Sequence, residues 1–158
     1  MDHLTRMDDL IRKATVLDVP AIASLVNETA NKGLVLPKSL NQVYQNIRDF
    51  VVYEVDGRIV GCGALHVLWE DLAEVRSLVV QEACRCQGVG ASLVSRLLQE
   101  ARDLQVRRAF ALTYQQAFFV GLGFHVVDKE ELPHKIWADC IDCVKFPHCD
   151  ETAVILEL

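Results

Sequence analysis

The chain has 158 residues, a net charge of −6, 51% apolar and 24% charged residues, the balance of an ordinary globular domain able to bury one sizeable core. No apolar run approaches the roughly 18 residues of a membrane-spanning helix, and negative charge without a lysine- and arginine-rich stretch argues against a nucleic-acid surface. The acidic start "MDHLTRMDDLIRKA" lacks the basic and apolar regions of an export signal, so a cytoplasmic location is expected, and six unevenly spaced cysteines do not make a disulfide framework.

The first element is a short strand near "IRKAT". Asp18 follows as an N-cap with Pro20 in the first turn of a helix through "AIASLVNETA", which Gly33 ends. A second short helix fits "SLNQVYQNI", capped by Ser39, with Leu40, Val43, Tyr44 and Ile47 at helical spacing. "FVVYEV" and "RIVGCGALHVL" flank Asp56-Gly57, the dipeptide of a tight hairpin.

After "WED" comes a third strand, "AEVRSLVV", whose alternation puts Glu74, Arg76 and Leu78 on one face and Val75, Ser77 and Val79 on the other. An amphipathic helix then carries Val89, Leu93, Val94, Leu97, Leu98, Ala101 and Leu104 on its apolar side, with Ser92, Ser95, Arg96, Gln99, Arg102 and Asp103 opposite. The strand "RAFALTY", the short helix "QQAFFVGLGF", the strand "HVVDKE" and a last strand "TAVILEL" complete the chain. Such an order predicts an α/β or α+β sandwich built on a mixed sheet.

Between strand and amphipathic helix stands "EACRCQGVGASL", with Arg85, Gly88 and Gly90 in Arg-x-x-Gly-x-Gly spacing. Glycine lets a backbone approach a ligand closely, and the unpaired N–H groups of a helix N-terminus suit a phosphate. No Lys-Ser/Thr follows Gly90 and the third glycine of a dinucleotide fingerprint is absent, so neither a Walker loop nor a Rossmann turn fits. Two readings stay open on the turn alone: an anion cradle, or a tight strand-to-helix connection.

This order of strand, glycine turn, amphipathic helix, strand and a short helix ending in "GLGF" resembles the GNAT superfamily of N-acetyltransferases. The resemblance implies one GNAT domain over residues 1–158, with the Cys-rich segment 139–150 inside it and a mixed, mostly antiparallel central sheet with helices on both faces. It also implies acetyl-CoA as co-substrate. Gln87, Gly88, Val89, Gly90 and Ala91 would then hold its pyrophosphate with Arg85 nearby, and Leu78, Val79 and Val80 would line its pantetheine arm. Five segments, "LPKSLNQVYQNIRDF", "GCGALHVLWEDLAEVRSL", "LTYQQAFFVGLGF", "VDKEELPHKIW" and "KFPHCDE", are similar to the short bacterial N-acetylglutamate synthases, which acetylate L-glutamate for arginine biosynthesis. Longer enzymes of that type carry an amino-acid-kinase domain ahead of the acetyltransferase, for which this chain has no room.

Acetyl transfer needs a neutral amine, a stabilised oxyanion and a proton for the departing thiolate. Glu74 is the candidate base, by its likeness to the family's strand glutamate; its other reading is a strand carboxylate paired with Arg76. Oxyanion stabilisation falls to a strand N–H near Leu78 or Val79. Many relatives carry an acidic tyrosine in the helix before "GxGF", where this chain has Phe118 and Phe119. Thr113, at a position where the family places a hydroxyl against the reacting carbonyl, and Tyr114, as proton donor or as a rim aromatic, are the remaining hydroxyl candidates. For the acceptor's carboxylates, which need cations or amides, Lys38 resembles a basic substrate-binding position of the family and Arg76, on the same face as Glu74, is the second candidate, with Lys135 and Lys145 weaker ones.

"CIDCVKFPHC" places Cys140, Cys143, His148 and Cys149 within ten residues, a set soft enough for zinc. The spacing is less regular than paired knuckles, so structural thiols or a loop over the pocket are favoured over metal. His66, His125 and His134 show no triad spacing and read as packing or surface. The leading expectation is therefore direct acetyl transfer to glutamate. Other amino-acid or peptide amines, and an acyl-CoA-binding regulatory module without turnover, are the alternatives. A homodimer is one option for its assembly.

Overall fold

The computed structural model describes residues 10–33, 35, 37–85, 87–132 and 150–158. Their strands are β1 (Ile11–Lys13), β2 (Phe50–Val55), β3 (Arg58–Trp69), β4 (Leu72–Val80), β5 (Arg108–Thr113), β6 (His125–Val127) and β7 (Thr152–Glu157). The helices are α1 (Val19–Ala30), α2 (Leu40–Gln45), α3 (Val89–Asp103) and α4 (Gln116–Gly121). The strands form one mixed sheet in the order β1-β2-β3-β4-β5-β7-β6. The β1–β2, β2–β3, β5–β7 and β6–β7 ladders are antiparallel and β4–β5 is parallel. No described helix is long and apolar enough to cross a membrane.

The chain divides into two compact units, one comprising the residues up to His66 with Val75–Glu100, the other Val67–Glu74 with the residues from Ala101 on. In the first, Asp56 (φ 51°) and Gly57 (φ 77°) close the β2–β3 hairpin, both in the positive-φ region its tight turn requires. Val19, Ile22 and Val26 of α1 and Val43 of α2 are buried against Phe50, Val52, Cys62, Ala64 and Val79 of the strands. The opposite side of β3 packs on α3. A Cβ added to Gly63 would lie 3.1 Å from Leu97 Cδ1 and 3.2 Å from Leu78 Cδ1, and one on Gly61 3.3 Å from Leu93 Cδ1. A side chain at either position would press on those leucine tips, so glycine suits the close approach of the helix.

The expected capping by Asp18 takes another form. Asp18 precedes α1 but makes no side-chain cap bond to it. Its carboxylate instead accepts from Arg12 Nη1 at 2.7 Å, Arg12 Nη2 at 2.9 Å and the Thr15 N–H at 2.8 Å, while Arg12 Nε donates to Glu54 at 2.8 Å. A forked guanidinium satisfies more carboxylate lone pairs than a helix end can, and the side chain is committed there. Ser39 caps α2 as expected, accepting from the Gln42 N–H at 3.1 Å while the Gln42 side chain accepts from the Ser39 N–H at 2.8 Å. Of the four apolar positions read for this helix only Val43 is buried, and Leu40 and Tyr44 are exposed, because two turns present little more than one side chain to the core.

In α3, Val89, Leu93, Val94, Leu97, Leu98 and Ala101 are buried as the periodicity predicts. Ser92 is buried too, and Leu104 lies beyond the helix end, exposed. The second unit has its own core of Leu72, Phe110, Leu132, Ala153 and Ile155, with Phe119 edge-to-face against both Phe118 and Phe124.

Candidate functional site

Lys38 and Arg76, 38 positions apart in sequence, line one cleft of the first unit. Gln42 and Asn46, from α2 and the residue after it, share that cleft with Asp49, Phe50, Ala64 and Ser77. A regular strand would not bring Arg76 there. Leu78 faces α3, as its approach to Gly63 shows, and Val79 packs with α1, so unbroken alternation would send Arg76 to the α3 side. Ser77 has φ +53°, which interrupts the alternation and leaves Arg76 and Ser77 on the same side. The sequence-based assignment of Ser77 and Arg76 to opposite faces is corrected accordingly.

Lys38 is fixed through its main chain. Asn27 Nδ2 of α1 donates to the Lys38 carbonyl at 2.7 Å, and Asn27 Oδ1 accepts from the Lys38 N–H at 2.9 Å. Asp49 also lines the cleft, with its Oδ2 2.6 Å from His66 Nδ1.

The glycine turn lies at the end of β4. Gly88 has φ +83°, the left-handed region that glycine enters without steric cost. Its carbonyl accepts from the Ser92 N–H at 3.0 Å, the first intrahelical bond, so the N–H groups of Val89, Gly90 and Ala91 precede the helical ladder. They carry the positive end of the α3 dipole. Arg85 Nε donates to the Val80 carbonyl at 3.1 Å, which folds it back along the strand end. Gln87 is exposed beside Gly88. Val79 is buried in the α1 core, while Val80 is half-buried and the next residue, Gln81, still donates to Val60 of β3 at 2.8 Å.

In the second unit the β4–β5 ladder runs from Leu72/Arg108 to Glu74/Phe110, although β4 continues to Val80 and β5 to Thr113. Glu74, half-buried, thus stands at the last rung. Thr113 is buried and its Oγ1 accepts from the Gln115 N–H at 2.7 Å, a local turn bond. The Tyr114 hydroxyl donates to the Asp150 carboxylate.

Lys135, Lys145, His134 and the Cys140, Cys143, His148 and Cys149 set lie outside the described residues; among the described residues no group of three His, Cys, Asp or Glu could hold a metal. Sequence reasoning missed Asn27, Asp49 and His66. Asn27 offered one signal, a weak helix former in the last third of α1; the Asp49–His66 pair, 17 residues apart, offered none.

The Acetyltransferase (GNAT) family's sequence pattern matches residues 24–124. An uncharacterized N-acetyltransferase of Chlorobaculum tepidum is 36% identical over 151 residues, 96% of this chain and 97% of that protein. The amino-acid acetyltransferase of Mycobacterium tuberculosis is 45% identical over 122 residues, 75% of this chain and 70% of that protein. An N-acetylglutamate synthase of Neisseria gonorrhoeae, solved in complex with coenzyme A and N-acetyl-glutamate, superposes with a TM-score of 0.82 at 26% identity. That match covers 94% of this chain and 34% of the longer one.

Proposed function

This chain belongs to the acetyltransferase (GNAT) family, and from that premise we propose that it moves the acetyl group of acetyl-CoA to the α-amine of L-glutamate. The observation that carries the acceptor is the cleft that Lys38 and Arg76 both line. Two carboxylates require cations or amides at spaced positions, and a lysine with an arginine supplies a point charge and a planar fork. The N-acetyl-glutamate bound by the Neisseria gonorrhoeae enzyme supports the same acceptor.

In this reading the N–H groups of Gly88, Val89, Gly90 and Ala91 at the α3 N-terminus hold the pyrophosphate, with Gln87 and Arg85 beside them, and Leu78, Val79 and Val80 follow the pantetheine arm. Burial leaves Val79 its backbone rather than its side chain for that task. Glu74 accepts the proton of the glutamate ammonium. The freed amine attacks the thioester carbon, and its oxyanion meets the β4 N–H groups near Leu78 or Val79, beyond the last rung shared with β5. The C–S bond then breaks, the nitrogen gives up its second proton to water, and the amide forms. The thiolate takes a proton from Tyr114, which exchanges Asp150 for the sulfur, or from water, with Thr113 near the carbonyl.

The test is thiol release from acetyl-CoA with each of the twenty amino acids in turn. Turnover with glutamate above all others is expected. Turnover with another amino acid and none with glutamate overturns the acceptor, and binding of acetyl-CoA without any product overturns the reaction.

A further inference from the structure

Charge alone does not make Lys38 a good ligand. A lysine side chain carries about 2 kcal/mol of rotamer entropy, and a mobile backbone beneath it would add to the cost of ordering it on an acceptor. The chain between α1 and α2 removes that second cost at one residue. Asn27 grips both the carbonyl and the N–H of Lys38, at 2.7 and 2.9 Å across eleven residues. The next residue, Ser39, is held by its reciprocal cap with Gln42. Asn27 directly follows Val26, which is fully buried in the α1 core, so the clamp is anchored to a fixed part of the unit.

We infer that Asn27 is a positioning residue for acceptor binding: through its two bonds to the Lys38 main chain it fixes the point from which the ammonium reaches into the cleft. It touches no substrate and acts only through Lys38. The inference rests on the reading of Lys38 as a ligand of the acceptor carboxylate. Asparagine suits the task because its amide offers a donor and an acceptor at once. Aspartate keeps only the acceptor and adds a charge facing the Lys38 carbonyl.

Steady-state kinetics of Asn27→Ala, Asn27→Asp, Lys38→Ala and the double variant Asn27→Ala/Lys38→Ala test it, with glutamate and acetyl-CoA varied separately and melting temperatures recorded. Asn27→Ala is expected to raise the KM for glutamate roughly tenfold, the order of two lost hydrogen bonds, with kcat and the KM for acetyl-CoA nearly unchanged. Asn27→Asp, which sets a carboxylate oxygen against the Lys38 carbonyl, raises the glutamate KM at least as far, and the double variant shows no KM rise beyond that of Lys38→Ala. Equal, multiplying effects of the two substitutions, or a loss shared by kcat and both KM values, overturn the positioning role. If Lys38→Ala leaves the glutamate KM unchanged, the reading of Lys38 fails instead.

Discussion

The Cys62 thiol donates to the carbonyl of Ser77 at 3.4 Å, tying the middle of β3 to the residue at which β4 leaves its regular course. Cys62 is fully buried, and burial pushes its thiol up to about 12. It is therefore a neutral hydrogen-bond donor at physiological pH, and the thiolate that reagents need is scarce. Native protein treated with a thiol reagent near neutrality should leave Cys62 unlabelled, and unfolding should expose it; mass mapping of the labelled peptides before and after denaturation reads the difference.

The turn at Ser77 can be tested directly. Ser77→Val places a β-branched side chain at φ +53°, which costs about 1–2 kcal/mol or forces the strand back to regular alternation. Restored alternation takes Arg76 out of the cleft it shares with Lys38. The KM for glutamate should rise while the KM for acetyl-CoA holds, and the urea midpoint should drop. A variant with lower stability but unchanged glutamate KM would detach Arg76 from acceptor binding.

How much of this was legible follows from the range of each signal. The hairpin at Asp56-Gly57, the apolar stripe of α3 and the Ser39 cap are local patterns a few residues long, and all three stand in the structure. The glycine turn was readable as a turn because Gly88 and Gly90 interrupt the passage from an apolar strand to an amphipathic helix. Ser77 carries no mark of its positive φ, since serine is not a residue that announces one. The Arg12–Asp18 and Asp49–His66 pairs depend on which side chains tertiary packing brings into reach. Ser92 was assigned to the polar side of α3, yet it is buried.

Gly88→Ala should weaken acetyl-CoA binding. Alanine at φ +83° is strained by about 1–2 kcal/mol, and relief of the strain rotates the peptide groups that open α3. Titration calorimetry with CoA reads the effect, expected at roughly tenfold in Kd. An unchanged Kd would remove this turn from phosphate binding.

Glu74→Gln keeps the size of the side chain and removes the carboxylate. The proposed role predicts a fall in kcat of about 10²- to 10⁴-fold, with both KM values changed far less and partial recovery at higher pH, where more of the acceptor amine is already neutral. A variant as fast as the natural enzyme would assign Glu74 to the strand surface.

Acid stability has a defined contributor. Hydrogen bonds from Arg12 hold the Asp18 carboxyl below its ordinary value of 3.8. The folded state thus binds the proton less readily than the unfolded chain, and the resulting stabilisation is present above the unfolded value and lost as pH falls through the folded one. Asp18→Asn should lower stability at pH 7 by about 1–2 kcal/mol and flatten the decline below about pH 4. Urea midpoints at neutral pH and at successively lower pH values measure both, and an equally steep acid decline in the variant would exclude Asp18 as a source.

The bare backbone at Gly61 and Gly63 sets the height of α3 above β3. A single methyl there would act as a shim, making the tips of Leu93 or of Leu97 and Leu78 yield by a few tenths of an ångström. The glycine turn opens the same helix, so a change on the hidden side of the sheet reaches the place where the proposed phosphate site begins.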